Sequence, residues 1–199
     1  MPGRKRYNRI VVWMRRAMRV RDNIALYAAI QDANEVVPVL CLNTEKRYEF
    51  DTPRRRYVRS AIASLDSELR SRGSQLFVLS GDIVDELPRF AKEVGAEVVF
   101  GVDVYDPVSL NRDQQLRRGL FRAGVELLLL KDRVIFEKQE ILNQSRQPFK
   151  VFTPYKKAWL EFSDSIPPLL PDIRSVSSPA DADGRFSLSR QKSFANADR

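Results

Sequence analysis

Short, continuous apolar runs alternate along this chain with amphipathic stretches. Ile10 to Trp13, Val36 to Leu42, Leu76 to Leu79, Val98 to Phe100 and Val125 to Leu130 are compact and predict strands. Between them the periodicity changes to that of helices. The clearest helix is predicted from Pro53 to Arg72, where Val58, Ala61, Ile62, Leu65 and Leu69 recur at three-to-four spacing and Arg54, Arg55, Arg59 and Glu68 fall off the stripe. Pro53 suits its first turn and Gly73 its end. Ile83, Val84, Leu87, Phe90, Ala91 and Val94 repeat the pattern up to Gly95, and a third helix is expected from Pro107 to Phe121, ending near Gly124.

Strands that are apolar throughout, rather than alternately, belong to parallel sheets covered on both faces. The βαβα order therefore predicts an α/β fold: a doubly wound, Rossmann-like, five-stranded parallel sheet with right-handed crossovers and helices on both faces. Ligands of such sheets bind beyond the carboxyl ends of the strands, at the switch point in strand order. This directs attention to the loops after Trp13, Leu42, Leu79 and Phe100. From about Pro167 the pattern dissolves into Ser- and Pro-containing sequence. The organisation expected is a basic arm over 1–8, one domain over 9–171, and a mobile tail or severed linker over 172–199.

The 199 residues suffice for one such domain. With 43% hydrophobic and 30% charged residues the composition is that of a soluble globular protein. No apolar run reaches the ~20 residues of a membrane helix, and arginines interrupt the first hydrophobic stretch, so a cytoplasmic location and no membrane partner are expected. Histidine is absent, which excludes Ser-His-Asp and Cys-His catalysis and any imidazole zinc site. No metal site is expected. Cys41, the single cysteine, lies inside a predicted strand and reads as a buried structural thiol. The net charge of +8 is uneven: residues 1–21 hold eight basic side chains and no acid, while the remaining 26 bases balance 26 acids. Such an arm can attract phosphate by counterion release, or serve only solubility.

Candidate chemistry gathers after the first strand. Arg15, Arg16, Arg19 and Arg21 stand at the mouth of the sheet, Asp22 or Asn23 can cap the following helix, and its N-terminal amides favour an anion. Two other features carry less. Ser80-Gly81-Asp82 lacks the glycines of a dinucleotide fingerprint and the lysine of a P-loop, and reads as a turn. Glu137 and Glu140 could imitate a carboxylate pair, yet their spacing is equally that of a solvated helical face.

The order of residues in Trp13-Met14-Arg15-Arg16-Ala17-Met18-Arg19-Val20-Arg21-Asp22-Asn23, continuing through Ala25 and Leu26, resembles the opening of the DNA photolyase and cryptochrome family. Val37-Pro38-Val39 through Leu42, Pro53-Arg54-Arg55-Arg56, Gly81-Asp82, Tyr105-Asp106-Pro107 with Arg112-Asp113, and Phe149-Lys150-Val151-Phe152-Thr153-Pro154-Tyr155 to Ala158-Trp159 resemble later family segments in the same order. The likeness covers residues 9 to about 170, the family's N-terminal antenna domain. It implies a domain that holds a light-harvesting chromophore (a deazaflavin, a flavin or a folate) and passes excitation to flavin adenine dinucleotide in a separate helical domain. In full-length relatives that second domain binds damaged DNA and carries out light-driven repair of pyrimidine dimers.

The stretch after Trp159 offers no room for such a helical domain, so the resemblance implies that FAD is not bound by this chain and that the chain is not catalytic alone. Several positions depart from the family pattern. Ala17 replaces a usual aspartate, Arg21 a histidine and Ile24 a proline; Gly101 to Asp106 lacks the asparagine common in relatives, which weakens a folate; and Asn43 stands where deazaflavin-binding relatives place an aspartate.

The chromophore pocket implied by the resemblance is built from Arg15, Arg16, Leu42, Asn43, Arg56, Asp103, Tyr105 and Asp106. Arginines would neutralise a phosphate or glutamyl tail, and carboxylates would accept hydrogen bonds from the ring system. A structural alternative stands beside each: Arg56 on a solvated helix face, Tyr105 in packing, Asp106 as a helix cap. The Phe149 to Trp159 segment, with Lys150, Lys156 and Lys157, can stack bases, though its family counterpart leads toward the flavin domain and favours anchoring. Two alternative functions remain: a subunit that meets a flavin-domain protein in trans, and a nucleic-acid or partner-binding module making weak DNA contact through the basic N-terminal segment.

Overall fold

A computed structural model of the protein describes residues 4–42, 52–132, 134–137, 139–162 and 169–179. Five parallel strands form one sheet in the order β3-β2-β1-β4-β5. They are β1 (Tyr7–Trp13), β2 (Ala33–Leu42), β3 (Phe77–Ser80), β4 (Val98–Val102) and β5 (Glu126–Leu130). The helices between them are α1 (Ile24–Asp32), α2 (Pro53–Arg70), α3 (Ile83–Glu93) and α4 (Pro107–Arg122), and α5 (Phe152–Glu161) follows the sheet. The order reverses between β1 and β4, as expected of a doubly wound sheet, and this is its switch point.

Alternation within continuously apolar strands fills two cores. On β1, Ile10 and Val12 enter one cluster with Leu26 and Ala29 of α1 and Ile62, Leu65 and Leu69 of α2. Val11 and Trp13 point the other way, into a cluster with Leu87 and Phe90 of α3 and Leu116 and Leu120 of α4. A strand residue has no solvent side in this arrangement, which is why the runs lack polar alternation. Gly73 and Gly95 end α2 and α3 with φ of 86° and 65°, the left-handed geometry that glycine adopts without cost.

Three sequence expectations are revised. Tyr7 and Asn8, taken as the end of the arm, begin β1, because Tyr7 pairs with Ala33. Glu137 and Glu140 share no helix; they flank a turn closed by Glu140 N–H to Glu137 O. The described part of the supposed tail is docked: Ile173 and Val176 are 8% and 1% exposed in the α1/α2 core. Val176 N–H donates to Arg72 O and Val36 N–H to Ser177 O, while Arg72 Nε donates to Ile173 O. Two apolar side chains spaced by three in a polar run carry no periodicity, so the attachment was invisible to pattern reading.

Candidate functional site

The β1–α1 loop is organised by Asn23. Its Oδ1 accepts from Leu26 N–H at 3.1 Å as the N-cap of α1, and its Nδ2 donates to Ala17 O at 3.1 Å and Arg19 O at 2.9 Å. Asp22, the other capping candidate, instead takes a left-handed turn with φ of 49°. The buried amide thus folds the loop back and presents its arginines across the switch point.

Three of those arginines each grip a carboxylate from a different element. Arg15 binds Asp113 of α4 bidentately, Nη1 to Oδ1 at 2.6 Å and Nη2 to Oδ2 at 2.9 Å, with the side chains only 5% and 6% exposed. Its guanidinium also lies 4.4 Å from the Trp13 ring centroid, a stacked cation–π contact. Arg16 reaches Asp106 in the β4–α4 turn at 3.2 Å. Arg19 reaches Asp132, just after β5, at 2.8 Å, and donates to Asp22 O. The arginine-rich loop therefore touches the turn before α4 through the Arg16–Asp106 pair. Arg15 and Arg19 serve as clasps between β1, α4 and the end of β5.

Beyond the strand ends, between α3 and α4, lies a cleft of about 420 Å³. Trp13, Leu40 and Ile83 give it apolar walls, Arg15, Arg16 and Arg112 its cations, and Asn111 and Gln115 its amides. Its far wall is Gly81 to Val84, where Asp82 caps α3 by accepting from Val84 N–H at 2.9 Å. The two helices converge past the cleft, where an added Cβ on Gly119 would come within 3.1 Å of Pro88 Cγ. Among the described residues, the buried side-chain nitrogens without a hydrogen-bond partner are Nε of Arg15 and of Arg112, both on residues of this cleft.

Of the residues predicted for the pocket, Arg15 and Arg16 line the cleft. The others do not. Leu42 packs half-buried against the α1/α2 core, and Arg56 is exposed in the first turn of α2. Asn43 lies outside the described residues. Asp103 Oδ1 accepts from Val104 N–H, Tyr105 donates its hydroxyl proton to Glu137 Oε1 at 2.7 Å, and Asp106 caps α4 by accepting from Ser109 N–H at 2.8 Å. Those bonds from Ser109, with the nearby Arg16 charge, hold the Asp106 carboxyl below the usual range. A carboxyl lowered on folding adds stability above its unfolded value, and that stability is lost as pH falls through the folded value. Asn111 and Gln115 were missed, Arg112 was noted only as part of the family resemblance, and Ser80-Gly81-Asp82 was read as a turn; the signal available was the helical spacing of three polar residues on α4 combined with the switch-point rule.

Cys41 also borders the cleft, and its thiol lies 3.5 Å from Gly81 O. Burial, then the charges of Glu86 and Asp82, push the thiol up to about 12. Because the thiolate is the nucleophile, alkylation of the native protein at pH 8 should be slower than that of a free thiol by on the order of a thousandfold. Iodoacetamide labelling followed by mass spectrometry checks this; equal rates for native and urea-unfolded protein would contradict it.

A family model for DNA photolyase matches residues 10–172. The chain belongs to the DNA photolyase family. It is 30% identical over 152 residues to the deoxyribodipyrimidine photo-lyase of Synechococcus, covering 75% of this chain and 31% of that one. With cryptochrome-1 of Arabidopsis thaliana it shares 32% identity over 171 residues, covering 84% of this chain and 25% of the relative. The crystal structure of a class III photolyase from Agrobacterium tumefaciens superposes with a TM-score of 0.77 at 27% identity, covering 96% of this chain and 39% of that one. The chain thus spans a quarter to two fifths of these relatives and corresponds to the photolyase N-terminal domain. Among the described residues no helix is long and apolar enough to cross a membrane, and no cluster of acidic residues and cysteine suits a metal ion.

Proposed function

We propose that this photolyase-type domain binds a light-harvesting chromophore in the cleft between α3 and α4. Members of the family bind flavin and antenna chromophores. The observation that carries the reading is the unpartnered buried Nε of Arg112 beside an aromatic floor in a cleft of about 420 Å³, a size within the range of small-molecule sites. A buried donor without an acceptor is costly unless a ligand supplies one. The set fits an anionic pigment: Trp13, Leu40 and Ile83 offer apolar wall, Arg112 and Arg16 offer charge, and Asn111 and Gln115 can read polar ring edges. A bound pigment would absorb light and pass excitation to a flavin held by another domain. This chain's residues would bind it, orient it and exclude water.

The test is an absorption spectrum of the purified protein, then titration with deazaflavin, flavin mononucleotide and folate, followed by quenching of Trp13 fluorescence in a Trp159→Phe background. Arg112→Ala should weaken binding by roughly tenfold, as expected for loss of one charge-assisted hydrogen bond. A colourless protein that takes up none of the three removes the proposal.

The surface of α5 favours a second, compatible reading, in which a flavin-domain protein docks in trans. None of its residues is buried; Phe152, Leu160 and Phe162 are 72%, 52% and 48% exposed. The helix is held by edge-to-face rings, Phe136 with Trp159 and Phe162, and Phe149 with Tyr155. Exposed apolar side chains at both ends of one helix offer contact points for a partner. Mixing the chain with an isolated photolyase flavin domain should give a 1:1 complex, lost in Phe152→Asp/Leu160→Asp; no complex at micromolar concentrations would remove this reading.

A further inference from the structure

The basic residues of the N-terminal segment are largely engaged within the protein. Lys5 donates to Ile30 O and Gln31 O at the end of α1, Arg9 pairs with Glu35, and Arg15, Arg16 and Arg19 pair with Asp113, Asp106 and Asp132. Uncompensated charge lies elsewhere, on α4. From Pro107 to Val125 the chain carries Arg112, Arg117, Arg118 and Arg122 against one acid, Asp113, and that acid is buried under Arg15. Among the described residues, none of these four arginines joins an ion pair.

Helical spacing sorts the exposed side chains of α4 into two adjacent stripes. Asn111, Gln115, Arg118 and Arg122 follow one line, running from the rim of the cleft down the helix. Leu110, Gln114, Arg117 and Phe121 follow the next, and all eight are exposed. Phe121 is 82% exposed, and Arg117 is laid toward the edge strand by its bond to Leu127 O at 2.7 Å. The face offers guanidinium and carboxamide donors over ~17 Å and no exposed carboxylate of its own.

We propose that the outer face of α4 is a docking surface for the phosphate backbone of nucleic acid. Regularly spaced Arg, Asn and Gln donors are the side chains that contact phosphate oxygens without reading sequence, and an exposed ring between arginines adds a surface for sugar or base. The overall charge of +8 steers a polyanion toward the molecule, and the unpaired arginines of α4 fix where it lands. This surface adjoins the chromophore cleft at Asn111 and Gln115, but Arg118 and Arg122 lie outside the cleft lining, so variants at those two arginines test this proposal without touching the other.

The experiment is fluorescence anisotropy of the full 199-residue chain with a labelled DNA duplex between 50 and 200 mM salt, roughly the range over which phosphate contacts express themselves. Each contact contributes about 0.9 to the slope of log affinity against log salt. Arg118→Gln/Arg122→Gln should therefore lower the slope by about 1.8 and weaken binding at 0.1 M salt by roughly tenfold or more. Arg4→Gln/Arg6→Gln serves as the comparison and should change less, with circular dichroism confirming that both variants fold. The proposal is overturned by undetectable binding at 50 mM salt, by an unchanged slope in the α4 variant with loss in the arm variant, or by equal affinity for polyglutamate, which would mark the surface as one for acidic polypeptides.

Discussion

Asp113→Ala should lower the stability of the domain by about 3–5 kcal/mol, the range measured when one member of a buried ion pair is removed. The Arg15 guanidinium cannot shed its proton, and its side chain is 5% exposed, stacked on Trp13 with Nε already unpartnered. Removing the carboxylate leaves a full charge with no neutral form and no solvent. Melting should fall by roughly 10 °C for a domain of this size. The neighbouring clasps grade the effect. Arg19→Ala strips a partner from Asp132, whose side chain is 6% exposed, but the Arg19 side chain is itself 41% exposed, so the loss should be smaller. Breaking Arg16–Asp106 through Arg16→Ala should cost under about 1 kcal/mol, because both side chains are 44% exposed. Urea unfolding followed by circular dichroism ranks the three. If Asp113→Ala and Arg16→Ala fall within error of each other, the clasp at Arg15 is not the buried pair described. The double variant Arg15→Met/Asp113→Leu should recover most of the lost stability, since matched apolar side chains replace the pair without a stranded charge.

The sheet was legible because its strands are apolar on both faces and its helices carry one stripe, two periodicities that a linear sequence displays directly. The same reading found the arginine loop and chose Arg15 and Arg16 for ligand contact; both line the cleft, while Arg15 and Arg19 are also held by Asp113 and Asp132. Their partners lie 98 and 113 residues away, and no local pattern announces a pairing at that separation. Asp106 was recognised as a possible cap and is one, since capping is a local event decided by the Pro107 that follows it. Asn111 and Gln115 escaped because a polar residue on a helix looks solvated in sequence; only the placement of α4 against α3 turns that face toward a cleft. The tail boundary at 172 moved for a related reason: Val176 and Ile173 are buried by a core assembled elsewhere in the chain.

Val176→Asp should destabilise the α1/α2 side of the domain by about 2–4 kcal/mol, with the ceiling set by detachment of the strap rather than by the full cost of a buried carboxylate. Val176 is 1% exposed, and an ionised aspartate there has no cation positioned to meet it: Arg72, the nearest partner through its backbone oxygen, already binds Glu68 and Ile173 O with its guanidinium. The strap can escape the penalty by leaving, which exposes Ile173 and Val176 and releases Val36 N–H from Ser177 O. Burial of one or two such side chains is worth about 1.5–3 kcal/mol each before ordering entropy is subtracted, so detachment caps the loss near the stated value. A carboxyl forced into the core would have its proton affinity raised on folding, so the penalty should be smallest below the unfolded value of about 4 and grow as pH rises through the folded value. Hydrogen exchange separates the two routes. Loosening confined to the strap accelerates exchange at Val36 and Val176 while the amides of β1 and β4 stay protected; uniform acceleration through the sheet would instead mean that this segment is integral to the global fold. Wild-type exchange at Val36 as fast as in a free peptide would contradict the docking itself.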